Sequence, residues 1–292
     1  MYWFPVALST ALLAATSDAL TKAYLGPFGT VKMALGRVFA PVIFLTPLLL
    51  YPDWPHLDYI FWTTLFILLP LETTALVLYM EALKVSPLSL TVPFLAFTPA
   101  FMIISGALVL GEHLGIWGIV GIILVVAGSY SLNLDKAKHG LFAPFLSIFN
   151  EKGSRLMIMV AFLYSITSVL GKLAIQHSSP TFFASFYFII HGIFSSAVLA
   201  TFFKCNPLAI VKQCPKGVLL VGLSQSLMVI THMWAISLAP AAYMIAVKRL
   251  SVLFSVIIGI VFFQEKGLSF RLSGASLMVI GVFFIVLFSN IS

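Results

Sequence analysis

Residues 240–265 read PAAYMIAVKRLSVLFSVIIGIVFFQE, and this segment has the length and apolar character of a membrane-spanning helix. Two adjacent cations, Lys248 and Arg249, interrupt it. A cation at the centre of a bilayer costs about 2.5–3.5 kcal/mol on insertion scales, so the pair requires a protein partner, a water-filled cavity or an anionic ligand. The segment therefore predicts a transmembrane helix with a polar cavity beside it.

The composition of the whole chain is that of a membrane protein. Of its 292 residues, 61% are hydrophobic and only 9% are charged, whereas soluble domains carry about 25% charged residues. Apolar windows of about 20 residues recur along the chain, which is the pattern of transmembrane helices. We attribute the net charge of +7 to loop cations that orient the protein in the bilayer, and we expect no nucleic-acid partner.

We predict an all-α membrane protein with ten transmembrane helices. Proline and glycine mark the gaps between the apolar windows. The longest polar interval, residues 135–154, divides the chain into a first repeat (1–134) and a second repeat (155–292). The ten predicted spans are about 3–24, 29–51, 58–81, 87–110, 115–134, 155–176, 181–204, 216–238, 241–263 and 270–290.

The two halves resemble each other at a constant offset of 153 residues. The offset relates five positions of the first half to five of the second: Pro87 to Pro240, Gly106 to Gly259, Glu112 to Glu265, Gly121 to Gly274 and Gly128 to Gly281. Because each half has five spans, the second half enters the membrane from the opposite side. This predicts two inverted five-helix repeats, the architecture of alternating-access transporters, with the substrate site near the midplane between the halves.

Loop cations predict the orientation. The odd-numbered loops and the adjoining helix ends carry most of them, so the positive-inside rule places these loops and the 135–154 linker in the cytoplasm and both termini outside. We expect a multi-pass protein of the inner or plasma membrane. The cations are Lys22, Lys84, Lys136, Lys138, Lys152, Arg155, Lys204, Lys212, Lys216, Lys266 and Arg271.

The repeat resembles the drug/metabolite transporter superfamily of EamA type. The resemblance rests on ten spans in two halves, on Gly111-Glu112 and Gln264-Glu265 closing the fourth helix of each half, and on a glycine-spaced fifth helix. It covers nearly the whole chain and implies a carrier of small solutes such as amino acids, drugs or phosphorylated sugars. Typical EamA members keep both termini in the cytoplasm, opposite to what the loop cations predict.

The dibasic pair carries a sharper resemblance. Lys248 and Arg249 in the ninth helix look like the pair that binds substrate phosphate in the triose-phosphate and nucleotide-sugar branch. That branch adds a fourth-helix lysine, where this chain has Leu95. Because the two cations are about 100° apart on a helix, they can border one cavity without pointing the same way. The alternative is a structural network in which one cation pairs with a carboxylate and the other reaches toward the interface.

Three further positions are charged or polar inside predicted spans. Arg37 suits bidentate contact with a carboxylate or phosphate and is a third candidate for substrate binding; the alternative is a structural bridge. Glu72 is a candidate proton-coupling group or counter-ion, because a carboxyl in a low-dielectric environment readily holds a proton, and Gln225 is its repeat equivalent. Asp18 is a second coupling candidate, although its i, i+4 spacing favours a local salt bridge with Lys22.

Aromatic and small residues complete the candidates. Tyr79, Trp234 and Tyr243 near span ends are candidates for lining the cavity, or alternatively for anchoring at the interface. His191 and His232 are isolated on apolar spans and are best read as hydrogen-bonded core residues. The glycines of the fifth and tenth spans predict close helix packing.

No catalytic or nucleotide-binding motif is present, so we predict neither an enzyme nor a nucleotide-driven pump. We expect no cofactor and no metal site, since Cys205 and Cys214 have no histidine cluster beside them. The favoured function is secondary transport of a small organic anion, phosphorylated or carboxylate. The alternative is an EamA-type exporter of amino acids or drugs that is proton-coupled through Glu72. The expected partners are the lipid bilayer, the solute and a proton or counter-substrate, in a monomer or homodimer.

Overall fold

The computed structural model describes residues 2–50, 54–85, 92–131, 151–204, 206–254, 258 and 269–288. These ranges form helices joined by short turns, and no strand occurs in them. The helices are α1 (Trp3–Leu20), α2 (Thr30–Leu45), α3 (Tyr59–Val85), α4 (Thr98–Leu110), α5 (Ile116–Ser131), α6 (Lys152–Gln176), α7 (Pro180–Phe203), α8 (Pro207–Gln213), α9 (Pro215–Leu238), α10 (Ala241–Lys248) and α11 (Ser269–Phe288). Single-turn π or 3₁₀ segments extend α1 and α2 and precede α4.

Six helical stretches are long and apolar enough to cross a membrane, and three shorter apolar helices accompany them in the described part of the chain. The all-helical membrane architecture predicted from the sequence is thereby confirmed for the described residues. Most observed helix ends agree with the predicted spans to within a few residues, but α4 begins at Thr98, after a 3₁₀ segment that starts at Val92. The later part of the ninth predicted span, with Gly259 and Glu265, lies outside the described residues, as do Pro87 and Cys205.

Local sequence explains where several helices begin. Proline occupies the first position of α7, α8 and α9, where its missing N–H is not needed and its fixed φ suits a helix. Side chains cap two of the long helices: Glu151 accepts from the Ser154 amide, and Ser179 accepts from the Phe182 amide. The cap at Glu151 starts α6 at Lys152, inside the interval that the sequence suggested as a linker.

The ninth helix does not run smoothly through its dibasic pair. α10 ends at Lys248, and the chain then passes through a tight turn before residues 251–254 become helical again. In this turn Leu250 N–H donates to the Val247 carbonyl at 3.0 Å, a three-residue rather than four-residue spacing. The sequence predicted one uninterrupted helix, so this tightening is a difference, and it falls beside the two charged residues.

The most extensive contacts in the described chain join the first half to the second. Helix α5 packs along α11, α3 along α6, α1 along α9, and α2 against both α7 and α9. Helix α4 packs on α6, and α10 packs on α1. The halves are therefore interleaved, and any space enclosed among these helices is walled by both of them.

Glycine allows the closest of these approaches, as the sequence predicted. A β-carbon on Gly121 would lie 2.6 Å from the Gly281 carbonyl oxygen, and one on Gly281 would lie 2.6 Å from the Gly121 carbonyl oxygen. A β-carbon on Gly128 would likewise meet the Gly274 carbonyl at 2.6 Å. Backbone atoms cannot yield at such distances, so α5 and α11 can approach this closely only without side chains at these positions.

Candidate functional site

A cavity of about 270 Å³ lies between the two halves. Helices α1, α2, α3 and α4 of the first half and α6, α7, α9 and α10 of the second half contribute to its wall. Its polar lining residues are Asp18, Arg37, Glu72, Tyr79, Thr98, Tyr164, Thr167, Ser168, Lys172, Tyr187, His191, Gln225, His232, Lys248, Arg249 and Ser251.

Both members of the dibasic pair border this cavity and point to different neighbours. The Lys248 ammonium lies 2.7 Å from Nδ1 of His232 on α9. Arg249 Nη2 donates to the Thr98 hydroxyl at 2.8 Å, at the start of α4. Arg249 thus bridges the second half to the first, whereas Lys248 is held within the second half, and the divergence expected from adjacent helical positions is observed.

Within the described residues, no carboxylate lies within 4.0 Å of either Lys248 or Arg249. Their partners are a neutral hydroxyl and an imidazole nitrogen, and Nε of Arg249 is buried without a hydrogen-bond partner in the same part of the chain. Charged donors that are held by neutral groups keep their electrostatic attraction for an anion. Neither cation is therefore neutralised by an ion pair within the described residues.

Arg37 also lines the cavity, and its charge is balanced. Its Nη1 lies 2.6 Å from a carboxylate oxygen of Asp18. The sequence favoured Lys22, four residues along the same helix, as the partner of Asp18; the ion pair observed instead joins α1 to α2. Arg37 is consequently one half of an ion pair, a contact of the kind that the sequence analysis gave as the alternative to substrate binding.

The remaining polar candidates line the same cavity. Glu72, on α3, faces Thr167 of α6 and lies within electrostatic range of Lys248. Gln225 accepts a hydrogen bond of 2.7 Å from the Ser17 hydroxyl. Tyr79 lies near Arg37 and Arg249 in the wall. The structure thus brings together Asp18, Arg37, Glu72, Tyr79, Gln225, Lys248 and Arg249 of the residues predicted from the sequence.

Two predicted candidates lie elsewhere. The Trp234 side chain is 46% exposed on the outside of the helix bundle, and its indole N–H donates to the Thr181 hydroxyl at 3.2 Å. Tyr243 is buried against Gly118 of α5. Neither is among the residues that line the cavity. Position near a helix end could not distinguish an inward-facing from an outward-facing aromatic.

A buried ion pair lies at one end of the cavity. Lys172 of α6 contacts Glu112, which follows α4, at 2.5 Å, and donates to the Ala239 carbonyl at 2.6 Å. Glu112 also accepts from the Ala241 amide at 2.9 Å. These contacts tie α6 to the segments after α4 and before α10, and we call them the Lys172–Glu112 link. The repeat marked Glu112 in the sequence, but nothing in the sequence analysis predicted its pairing with Lys172.

Sequence reasoning missed other lining residues because they are uncharged. Thr98, Tyr164, Thr167 and Tyr187 line the cavity, although nothing in their local sequence distinguishes them from the polar residues that pack between membrane helices. His232 was read as a hydrogen-bonded core residue, and its hydrogen bond is indeed made, to Lys248. His232 and Lys248 lie on different helices, so their spacing in the sequence could not predict this contact.

Comparison with solved structures supports the fold. A structure whose title reads only "Crystal structure of protein" superposes with a TM-score of 0.65 at 14% sequence identity, covering 98% of this chain and 97% of that chain. At such low identity this similarity concerns the fold alone. No curated protein sequence is significantly similar to this chain.

Comparison with protein families covers both halves of the chain. The model of the EamA-like transporter family matches residues 1–134 and 151–287. This is most of the sequence and includes every helix that lines the cavity. Members of this family are membrane transporters of small molecules, which agrees with the apolar spans and the polar cavity described above. The chain belongs to the EamA-like transporter family.

Proposed function

We propose that this protein is a secondary transporter of small organic anions, phosphorylated or carboxylate, that bind at Lys248 and Arg249. The observation that carries the proposal is the position of these two cations in the wall of a cavity between the halves, with no carboxylate partner in the described part of the chain. A buried cation requires compensation, and a soluble anion entering the cavity can supply it.

The charges around the cavity support an anionic ligand. Four cations line it, of which Arg37 is paired with Asp18 and Lys172 with Glu112. Lys248 and Arg249 remain, opposed by the single carboxyl of Glu72 among the described lining residues. The wall is therefore electropositive where the pair lies, and low-dielectric surroundings strengthen its attraction for a negative charge.

The size of the cavity favours a small solute. Its volume of about 270 Å³ lies at the lower limit of ligand pockets, which span roughly 300–1,000 Å³. Metabolites with few carbon atoms and one charged group fit this space better than drug-sized molecules.

The proposal includes alternating access between two inverted five-helix repeats. The contacts support a two-fold relation between the halves. Exchanging α1 with α6, α2 with α7, α3 with α9, α4 with α10 and α5 with α11 reproduces most of the packed pairs: α1 with α9 becomes α6 with α3, and α4 with α6 becomes α10 with α1. The same exchange turns the Gly121–Gly281 approach into that of Gly274 and Gly128. Repeats related in this way move against each other around a midplane site.

For the orientation we propose that the odd-numbered loops face the cytoplasm and both termini face outside, because most loop cations belong to the odd loops. An epitope tag on either terminus should then be accessible to antibody on intact cells. A tag that is detected only after permeabilisation would reverse the orientation.

Ligand-dependent stability of the purified protein tests the anion site. Organic acids and sugar phosphates should raise the thermal midpoint, and Lys248→Ala or Arg249→Ala should weaken binding by at least about thirtyfold, because losing one partner of a buried charge contact costs roughly 2 kcal/mol or more. The exposed Lys216 and Arg155 provide matched controls, Lys216→Ala and Arg155→Ala, that should bind normally. Stabilisation only by neutral or cationic compounds would contradict the proposal.

A second candidate function follows from Glu72. This carboxyl lines the same cavity, beside Thr167 and within range of Lys248, where it could hold a proton or face an ammonium group. In that case the protein is an exporter of amino acids or drugs coupled to protons. Stabilisation by amino acids with a dependence on Glu72 distinguishes this candidate from the anion carrier.

A further inference from the structure

Two buried polar groups on α7 are not used by the proposed anion site. Tyr187 and His191 are 4% and 6% exposed, and both line the cavity. In the part of the chain that the structure describes, neither the Tyr187 hydroxyl nor His191 Nε2 has a hydrogen-bond partner. A buried polar group without a hydrogen-bond partner costs folding free energy. Because both of these groups line the cavity, a ligand bound there can supply the missing partners.

Their positions are fixed by packing. The two residues are one helical turn apart, and their rings stack at a centroid distance of 5.7 Å. Phe183 stacks on the other side of Tyr187 at 4.9 Å, and Phe188 meets the Tyr187 ring edge-on at 5.0 Å. A ring held on three sides cannot turn its hydroxyl elsewhere, so this donor is preorganised for whatever occupies the cavity.

The two groups also lie at the level of the charged residues. A β-carbon on Gly192 would lie 2.7 Å from the Val38 carbonyl oxygen, so the turn of α7 that carries His191 is in close contact with the turn of α2 that carries Arg37. Tyr187 lies within electrostatic range of Glu72 and Tyr164. Lys248, Arg249, Tyr187 and His191 line one cavity of about 270 Å³, so we expect a ligand held by the cations to lie within reach of this part of the wall.

We infer that Tyr187 and His191 form a hydrogen-bonding subsite for an uncharged oxygen on the body of the solute. A phenol both donates and accepts, and a neutral imidazole nitrogen does one or the other, so the subsite suits a hydroxyl or carbonyl group and not a second charge. The inference rests on the proposed anion site and narrows its substrate class to hydroxylated or oxo-substituted organic anions.

Matched pairs of anions that differ by one hydroxyl test the subsite. The probes are malate against succinate, and glycerol 3-phosphate against propyl phosphate, titrated into the purified full-length protein. A site built to bind a hydroxyl rejects the analogue that lacks it, so the hydroxylated member of at least one pair should bind about tenfold more tightly or better. In Tyr187→Phe the ratio of the two affinities within a pair should fall toward one, while the affinity for the member that lacks the hydroxyl stays unchanged.

The unliganded variants separate binding from a structural role. Tyr187→Phe keeps the stacked ring and removes only the unpartnered hydroxyl, so its thermal midpoint without ligand should equal or exceed that of the wild type. His191→Phe should reduce the same preference and keep the stack. Tyr59→Phe is the matched control, since Tyr59 is exposed and outside the cavity, and its preference should match the wild type.

Three results would overturn the inference. Equal affinity within both pairs in the wild type, or a preference that persists in Tyr187→Phe and His191→Phe, would remove the subsite and leave the anion site standing. Failure of all four probes to bind, with the wild-type protein folded, would remove the anion site and the subsite together.

Discussion

At the scale of single residues, the loop before α3 shows how one carboxylate stabilises a helix end outside the membrane. Asp58 accepts from the Phe61 amide at 2.9 Å, and its other oxygen lies 2.6 Å from Nδ1 of His177, just beyond α6. The Phe61 amide, and secondarily His177, lower the pKa of Asp58 below its ordinary value. Asp58 thus joins the start of α3 to the end of α6.

We expect Asp58→Ala to lower the thermal midpoint at neutral pH, because it removes both the cap and the contact with His177. A carboxyl whose folded-state pKa is depressed contributes stability that is present above its unfolded pKa, about 4, and is lost as the pH falls through the folded value. The difference between wild type and variant should therefore shrink below about pH 4. Asp58→Asn keeps a capping oxygen, so its thermal midpoint should lie between those of the wild type and Asp58→Ala. A difference in thermal midpoint that does not depend on pH would contradict this account.

Glu72 is the residue that we propose for coupling if transport uses protons. Of the two described carboxylates in the cavity wall that lie away from the Lys172–Glu112 link, Asp18 is paired with Arg37, whereas Glu72 has no ion-pair partner among the described residues. If transport is proton-coupled, Glu72→Gln should abolish the pH dependence of uptake into proteoliposomes and leave solute binding within about threefold of the wild type. Glu81→Gln is the control, because Glu81 pairs with Lys152 in a largely exposed contact. An unchanged pH profile in Glu72→Gln would assign coupling elsewhere.

These residues also show what local sequence can and cannot specify. That Lys248, Arg249, Arg37 and Glu72 border a polar cavity follows from the cost of charge in a membrane. Their partners do not follow, because contacts such as Asp18 with Arg37 depend on which helices become neighbours. The i, i+4 rule suggested Lys22 for Asp18, and the fold supplied a residue from α2 instead.

At the scale of helices, the α5–α11 pair is the clearest case in which the sequence predicts packing. We expect Gly121→Ala to destabilise the protein by about 1–3 kcal/mol, because its β-carbon would lie 2.6 Å from the Gly281 carbonyl and 2.6 Å from the Ile285 side chain. Thermal or denaturant unfolding in detergent measures the change. Gly26→Ala is the control, since nothing lies within 4 Å of a β-carbon there; equal stability of the two variants would contradict the packing account.

Other features of the helices were beyond sequence reasoning. Apolar windows fix where a helix crosses the membrane, which is why the span ends agree closely, but a uniformly apolar helix carries little information on which side faces the cavity. Trp234 and Tyr243 illustrate this, since one lies on the outside and the other against Gly118. The tightened turn after Lys248 contains no proline or glycine, so composition gave no reason to expect it.

At the scale of the whole molecule, the Lys172–Glu112 link connects the halves at the end of the cavity where Asp58 and His177 also lie. It involves α6, the segment after α4, the Ala239 carbonyl just before α10 and the amide of Ala241, the first residue of α10. The side chains of Lys172 and Glu112 are only 10% and 14% exposed, and breaking a buried pair by removing one partner costs about 3–5 kcal/mol. We therefore propose that access from this side requires release of the link.

We predict that Lys172→Met opens this end of the cavity more often. In a background lacking Cys205 and Cys214, a cysteine replacing Ser168, which lines the cavity one turn from Lys172, reports access through its rate of labelling by a polar maleimide. Labelling in nanodiscs should accelerate by about tenfold or more, equivalent to about 1.4 kcal/mol of the cost of releasing the link. Lys152→Met is the matched control, because the Lys152–Glu81 pair is 61% and 38% exposed, and such pairs contribute little. Unchanged labelling in a folded Lys172→Met protein would show that the link does not control access, and closure of this end would then have to reside in the apolar packing around Leu68, Phe183 and Ile236.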